Sequence, residues 1–391
     1  MDRRRFLKLA AGAPIAGLVP PLTGNLAFAA APAEADYRRL LILIELRGGN
    51  DGLNTLVPFA DPTYYALRPR LAVARDRVVQ LSDAVGLHPA LEPLLPLWRK
   101  RQLAVLQGVG YPEPNLSHFR SIEIWDTASS STQYLQDGWL TRTFALAPTP
   151  ANFAADGVII GSADLGPLSG GGSRAVALAN TQQFLRQARL ASAEGQTRNK
   201  ALQHILKVES DIVQAAARLS GDHAFDTTFP QSAFGAAIRT ACQVVANRPG
   251  VAVVRVTQNG YDTHSGQAAT QARLLGELAA GIVALESALH ELDRWDDTLV
   301  LSYAEFGRRP KENLSNGTDH GTSSVHFAFG GRVLGGLYGE QPRLDRLSGD
   351  GNTGFAIDFR SVYATALDRW WNVSSNGPLG GRFAPLPILR T

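Results

Sequence analysis

Short, unbroken apolar runs recur along this chain, and each ends in a cluster of Gly, Asn, Asp or His. Residues 40–46 (LLILIEL) are the clearest run, and 103–109, 251–257 and 298–302 share the style; residues 325–329 read as a fifth, leading into Gly330 and Gly331. A strand with one wet face alternates apolar and polar residues, whereas a strand apolar at nearly every position is covered on both faces. Helical patterns fall between the runs. Residues 89–101 open with a proline at a favoured first-turn position, just after His88. Residues 199–219 place Leu202, Ile205, Leu206, Ile212, Val213, Ala216 and Leu219 on one face, and 268–293 read as a long amphipathic helix feeding the 298 strand. This alternation predicts an α/β protein with a mostly parallel central sheet and helices on both faces. The stretch from about 129 to 248 is less regular and includes Gly170, Gly171 and Gly172; it reads as an insertion or cap on a single domain spanning 30–391.

Composition narrows the partners. Hydrophobic residues make up 45% of the 391 and charged residues 19%, which excludes a disordered or collagen-like chain. No apolar run is long enough for a stable membrane span in the mature chain. The formal charge is +3, but four of the 38 Lys and Arg residues, against one of the 35 Asp and Glu, fall in the first eight positions, leaving 34 of each sign. A body so balanced offers no basic stripe for nucleic acid.

The N-terminus carries its own signal. Arg3, Arg4, Arg5, Phe6, Leu7 and Lys8 read as a twin-arginine export signal, and Ala27, Phe28 and Ala29 supply small residues for cleavage. The stretch between them contains Gly12, Pro14, Gly17, Pro20 and Pro21, a poor permanent anchor. Residues 1–29 are therefore expected to be a signal peptide read by the Tat machinery, which makes the mature protein periplasmic or secreted; an uncleaved N-terminal anchor is the alternative. Cys242 is the only cysteine, so no intramolecular disulfide is possible, and its apolar-periodic surroundings at 234–245 predict a buried structural thiol.

The chemistry-bearing residues follow the apolar runs. Gly48, Gly49, Asn50, Asp51 and Gly52 come after the first; Ser117 and His118 follow the 103 run; Asp262 and His264 follow the 251 run; Glu305 and Arg308 follow the 298 run. Asp319 and His320 precede the 325 run. In parallel α/β sheets ligands bind beyond the carboxyl ends of strands, so these groups are expected to converge on one rim. Each alone has a plain structural reading, as a turn residue, a helix cap or an ion pair. Together, Asp51, Asp262, Glu305, His264 and His320 form a set suited to Zn²⁺ or a similar divalent ion, one or two per chain.

Ser117 is the candidate nucleophile, at the start of a helix over 118–127 whose N-terminus favours an anion; a capping serine is the alternative. Asn50, His118, Arg120 and Arg308 are candidates for contacting anionic substrate oxygens, with ion-paired structural roles as the alternative for the arginines. The sequence contains no Gly-x-Ser-x-Gly elbow, dinucleotide fingerprint or Walker loop. His88, His204, His223 and His290 read as structural or surface residues, and His326 as a strand residue with a supporting role open to it.

The words RGGNDGLN (47–54), PNLSHF (114–119), YDTH (261–264), EFGR (305–308) and TDHG (318–321), in that order, resemble the Tat-exported bacterial family catalogued as domain of unknown function fifteen-oh-one. That family is similar to a remote branch of the alkaline phosphatase and sulfatase superfamily, and the resemblance runs from about residue 37 to 389. It implies a three-layer alkaline phosphatase-like fold and a metal-dependent hydrolase of a phosphate, less favourably a sulfate, ester. By the superfamily pattern Asp51 resembles the first-strand metal aspartate, Ser117 the nucleophile, Asp262 and His264 a metal pair, and His320 the last metal histidine. Glu305 stands in the place of an Asp, and Phe306 where a second metal histidine is expected. A non-catalytic exported binding protein of the same fold, recognising an anionic envelope component or a partner protein, is the competing expectation.

Overall fold

The computed structural model describes residues 34–178, 223–247 and 250–390. The export signal, the expected helix over 199–219 and His204 lie outside the described residues. Among those described, nine strands form one sheet: β1 (Leu40–Arg47), β2 (Leu103–Gly110), β3 (Ala155–Ile160), β4 (Ala175–Leu178), β5 (Val251–Asn259), β6 (Thr298–Tyr303), β7 (Ser324–Phe329), β8 (Gly336–Gly339) and β9 (Ile357–Asp358). Their spatial order is β8-β2-β7-β6-β1-β5-β3-β4, with β9 also pairing β2. All pairings are parallel except those of β7, which runs antiparallel to both β2 and β6.

Both faces are covered, as the apolar runs require. Leu40, Ile42, Ile44 and Leu46 of β1 enter one core with the helices Ala233–Ala246 and Gln267–Glu291. Leu41 and Leu43 point the opposite way, into a second core rich in aromatics, with Trp125, Trp139, Phe359, Tyr363, Trp370 and Trp371. This two-residue alternation between two apolar layers is why β1 reads as continuous hydrophobe. Truncating Ile42, fully buried, to Ala would cost about 2–5 kcal/mol. The one charged residue among 40–46, Glu45, is buried and accepts from Arg255 Nη2 at 2.7 Å and Thr257 Oγ1 at 2.8 Å on neighbouring β5.

The stretch expected as an insertion or cap is more integral than that. It supplies β3 and β4 to the same sheet, and its helix Ala233–Ala246 packs on Gln267–Glu291. Cys242 lies fully buried in that helix, and burial pushes its thiol up to about 12. Residues 89–101 do not form one helix. A 3₁₀ segment over Pro89–Leu94 hands on to a short α-helix over Leu95–Arg99, because Pro93 and Pro96 each remove a backbone donor. His88 caps the first segment, its Nδ1 accepting from Ala90 N–H at 3.1 Å.

Candidate metal and anion site

Four strand exits meet at one rim. The β1 exit carries Gly48 to Asp51, the β5 exit Asp262 and His264, the β6 exit Glu305 to Arg308, and the β2 exit leads through residues 111–117 to the helix His118–Thr127. Gly48 N–H donates to both Glu305 carboxylate oxygens at 3.0 and 3.1 Å, which ties the β1 and β6 exits together. Arg308 is buried and donates to the carbonyls of Gly48, Gly49 (2.9 Å), Tyr261 (3.0 Å) and Thr318 (2.9 Å), and to Asp262 Oδ1 at 2.6 Å. It is the clasp that holds three loops in register, and its donors are committed to protein atoms.

Asp262 sits at the centre. Its Oδ1 lies 3.0 Å from His264 Nε2 and 3.3 Å from His320 Nε2, and its Oδ2 lies 3.4 Å from His118 Nε2. Partial burial works to raise the Asp262 pKa, but hydrogen bonding and charge from Arg308, with His320 and His264, bring it down to about 2. Among the described residues, ligand atoms of His118, Asp262 and His320 all fall within 4.8 Å of one another. His264 Nε2 lies 2.9 Å from His320 Nε2, outside that group of three.

Each imidazole is anchored by its other nitrogen. His320 Nδ1 donates to the Leu116 carbonyl at 2.7 Å, His118 Nδ1 to Glu305 Oε1 at 2.9 Å, and His264 Nδ1 faces Asp319 Oδ1 at 3.4 Å. With the Nδ1 atoms turned to these acceptors, all three Nε2 atoms face Asp262. The Arg308 guanidinium, 2.6 Å from Asp262 Oδ1, meets part of this carboxylate's charge, and the three imidazoles gather around the same group. The hydrogen bond to Glu305 raises the His118 pKa against the effect of burial, whereas burial lowers that of His320. Phe306 packs against both rings, its centroid 4.8 Å from that of His118 and 4.3 Å from that of His320.

The sequence-derived candidates divide accordingly. Asp262, His264 and His320 come together as expected ligands, and His118, expected to meet substrate, joins them. Glu305 stands behind His118. Asp51 is not part of the group: it caps the short helix Gly52–Thr55, is 2.6 Å from Arg68 Nη1, and accepts from Gln267 Nε2. The Asp51 and Arg68 side chains are 1% and 0% exposed, so the charge of Asp51 is already met by a guanidinium.

Asn50 is buried, with its side-chain oxygen accepting from Thr55 at 3.0 Å and its Nδ2 unpartnered. Arg120 turns away, toward the carbonyls of Ser130 (3.0 Å) and Ser131 (3.2 Å), Glu123 (2.8 Å) and the Tyr134 ring (3.9 Å). Ser117 is exposed at the N-cap of His118–Thr127, yet its side chain makes no capping bond. Sequence reasoning missed Arg68, which no motif marks, and Asp319 as the partner of His264. His326 is buried with both ring nitrogens unpartnered, in edge contact with Trp125.

These features define a class, an α/β protein with a histidine–aspartate centre at the carboxyl rim of a mostly parallel sheet. The chain belongs to the family described as Protein of unknown function (DUF1501), which it matches over residues 38–378. No curated protein matches it. Among solved structures it is similar to the alkaline phosphatase from the Antarctic bacterium TAB5, at 11% identity and TM-score 0.36 over 78% of this chain and 95% of that one. It is also similar to the lipoteichoic acid synthase LtaP from Listeria monocytogenes, at 9% identity and TM-score 0.35 over 77% and 71% of the two chains. A third is Ps i-CgsB, at 12% identity and TM-score 0.38 over 88% and 72%. No helix among the described residues is long and apolar enough to cross a membrane.

Proposed function

We propose that this chain is an exported metal-dependent hydrolase of phosphate esters, with sulfate esters a less favoured substrate. One divalent ion, Zn²⁺ by the chemistry of the donors, is held by Asp262, His264, His320 and His118, and Ser117 is the nucleophile. The observation that carries this reading is the convergence of three imidazole Nε2 atoms on one carboxylate, each ring anchored from behind. Mixed imidazole and carboxylate donors suit zinc, and anchored second nitrogens are the usual support of its ligands. Ligand atoms bound at about 2.0–2.2 Å to one ion stand roughly 3–3.5 Å apart; each Nε2 lies 3.0–3.4 Å from an Asp262 oxygen, and the His118, Asp262 and His320 atoms lie within 4.8 Å of one another.

A bound ion supplies Lewis-acid polarisation of an ester oxygen and favours an ionised hydroxyl beside it. The chain's own residues do the rest. Ser117 presents an uncapped hydroxyl at a helix N-terminus, where free N–H groups and the dipole attract the anionic head of an ester. Glu305 holds the His118 ring, and Arg308 fixes Asp262. Asp51, an expected ligand, acts here through its ion pair with Arg68, which stiffens the Gly48–Gly52 loop; that pairing supports one ion rather than two.

The second reading is a binding protein without turnover. It draws support from Phe306 in place of an imidazole and from the commitment of both Arg120 and Arg308 to protein atoms, away from any substrate anion. Elemental analysis of purified protein, beside turnover of 4-nitrophenyl phosphate, bis(4-nitrophenyl) phosphate and 4-nitrophenyl sulfate, separates the two. The expected result is one ion per chain and monoester turnover. Asp262→Asn loses the metal, and Ser117→Ala keeps the metal while losing activity by about 10³-fold or more. Metal retained with no turnover of any ester supports the binding reading; failure to take up any divalent ion refutes both the metal centre and the hydrolase.

A further inference from the structure

Two of the three imidazoles hang on groups that must themselves be held, and both supports lead back to one buried phenol. His320 Nδ1 donates to the Leu116 carbonyl at 2.7 Å. That carbonyl shares its planar peptide unit with the Ser117 N–H. The Ser117 N–H in turn donates to the Asn115 side-chain oxygen at 2.9 Å. With the N–H edge of this peptide tied down, the C=O on its opposite edge is aimed as well, so the Asn115 side chain sets the direction of the carbonyl that anchors His320. Asn115 is held by its own backbone, whose N–H donates to Tyr111 Oη at 3.1 Å. Tyr111, directly after β2, is 2% exposed, and its ring meets that of Phe359 edge-on. The second support follows from counting hydrogens. Ser121 Oγ contacts the Glu305 carbonyl and, at 3.0 Å, Tyr111 Oη. A carbonyl only accepts, so the single serine hydrogen goes to Glu305, and Tyr111 is the donor to Ser121. The bonds therefore run one way, from Asn115 N–H through Tyr111 and Ser121 to Glu305; the Asn115 carbonyl, 3.3 Å from Oη, is a longer second acceptor for the phenol. Ser121 and Glu305 are buried, and the Glu305 carboxylate holds His118 Nδ1 at 2.9 Å.

We propose that Tyr111 and Asn115 are positioning residues for the metal centre, the phenol fixing both the turn that aims His320 and the Glu305 backbone that carries the partner of His118. The inference rests on the metal-centre reading, and both residues act through others. Groups that orient a ligand's second nitrogen tune metal affinity even though they lie behind the ligand, and in a buried chain of hydrogen bonds the loss of one member loosens the rest.

The test is Zn²⁺ affinity of the full-length protein by chelator competition, with the visible absorption of the Co²⁺-substituted protein as a report on ligand geometry and circular dichroism of the metal-free protein as a report on the fold. Tyr111→Phe keeps the ring against Phe359 and removes only the hydroxyl; Asn115→Ala removes the acceptor for Ser117 N–H, and Asn115→Asp keeps it. Tyr363→Phe is the control, since its hydroxyl is also buried and donates to the Trp125 carbonyl at 3.2 Å, at the other end of the helix His118–Thr127. Tyr111→Phe and Asn115→Ala are each expected to weaken Zn²⁺ binding about tenfold and to alter the Co²⁺ spectrum, whereas Asn115→Asp and Tyr363→Phe stay within about threefold of wild type. Wild-type binding that Tyr111→Phe and Asn115→Ala leave unchanged overturns the positioning role and leaves the metal centre standing. An equal loss in Asn115→Asp, or in Tyr363→Phe, also overturns it, by assigning the effect to general loosening rather than to the aim of the imidazoles. A wild-type protein that takes up neither Zn²⁺ nor Co²⁺ overturns the metal centre and this inference together.

Discussion

Replacing Arg68 by Met tests whether Asp51 is a structural anion or a metal ligand. In the native chain the guanidinium is fully buried and makes four hydrogen bonds: Nη1 donates to Asp51 Oδ2 at 2.6 Å and Asn54 Oδ1 at 2.8 Å, Nε to the Pro310 carbonyl at 2.7 Å, and Nη2 to that of Arg309 at 2.9 Å. Methionine keeps most of the volume and removes every donor. Asp51 is then left buried with only the Gln267 amide and Leu53 N–H as partners. Stranding one member of a buried ion pair costs about 3–5 kcal/mol, which for a chain of this size lowers Tm by about 4–7 °C. Asp51→Asn alone is also destabilising, but the double variant Arg68→Met/Asp51→Asn recovers about 2 kcal/mol or more relative to the sum of the singles, since the stranded charge is gone. The assay is thermal and urea unfolding followed by tryptophan fluorescence, with bound metal measured on the same samples. A Tm within about 1 °C of wild type in Arg68→Met would refute the ion-pair account. Asp51→Asn that folds normally but loses its metal would refute it in the other direction, by making Asp51 a ligand.

Two further outcomes follow from the same geometry. Glu305→Gln weakens the anchor of the His118 ring, and metal affinity measured by chelator competition should fall about 10–100-fold, with the fold retained; unchanged affinity would mean that the His118 orientation does not depend on that carboxylate. His326, which burial lowers to about 3, is neutral in the folded chain and protonates near its ordinary value when unfolded. Between about pH 6.5 and 3 the unfolded chain therefore binds the extra proton, and this residue reduces stability by up to about 1.4 kcal/mol per pH unit as pH falls. His326→Leu should flatten the stability-versus-pH curve in that window, and parallel curves for the two proteins would sink the account.

The strands were legible because burial on both faces leaves an unmistakable apolar run, and β1, β2, β5 and β6 fall where those runs lie. β3 and β4 were not. At six and four residues, with Gly157 and several alanines between them, they carry too little hydrophobic pattern to separate from loop, and only the pairing of β3 with β5 and of β4 with β3 makes them strands. In the candidate site the words were legible and their pairings were not. Asp51 beside glycines looks like a ligand because its compensating cation, Arg68, comes from a segment with no motif. His118 was overshadowed by Ser117, since adjacency in sequence says nothing of which side chain faces the centre. That the His118 ring is aimed by Glu305, 187 positions away, is a property of the folded chain alone.

The reason so many of these words end together lies in the one strand that breaks the parallel rule. In a fully parallel sheet the approach to each new strand lies at the edge opposite the carboxyl rim. Because β7 runs against β2 and β6, its approach lies at the rim itself, and the chain reaches it by folding Gly307–Arg308 back on His320–Gly321 as a two-stranded antiparallel ribbon across the mouth. Arg308 is paired directly with His320 in that ribbon, so the clasp of Asp262 and one of its imidazole neighbours are set side by side by backbone hydrogen bonds. The glycines beside them are there for contact. A Cβ on Gly307 would overlap the Ser323 carbonyl, and one on Gly321 the backbone of Arg308. EFGR and TDHG are thus two halves of one device, with the functional residue and the glycine required together because the ribbon brings His320 to Asp262 only when its two strands and β7 lie in contact.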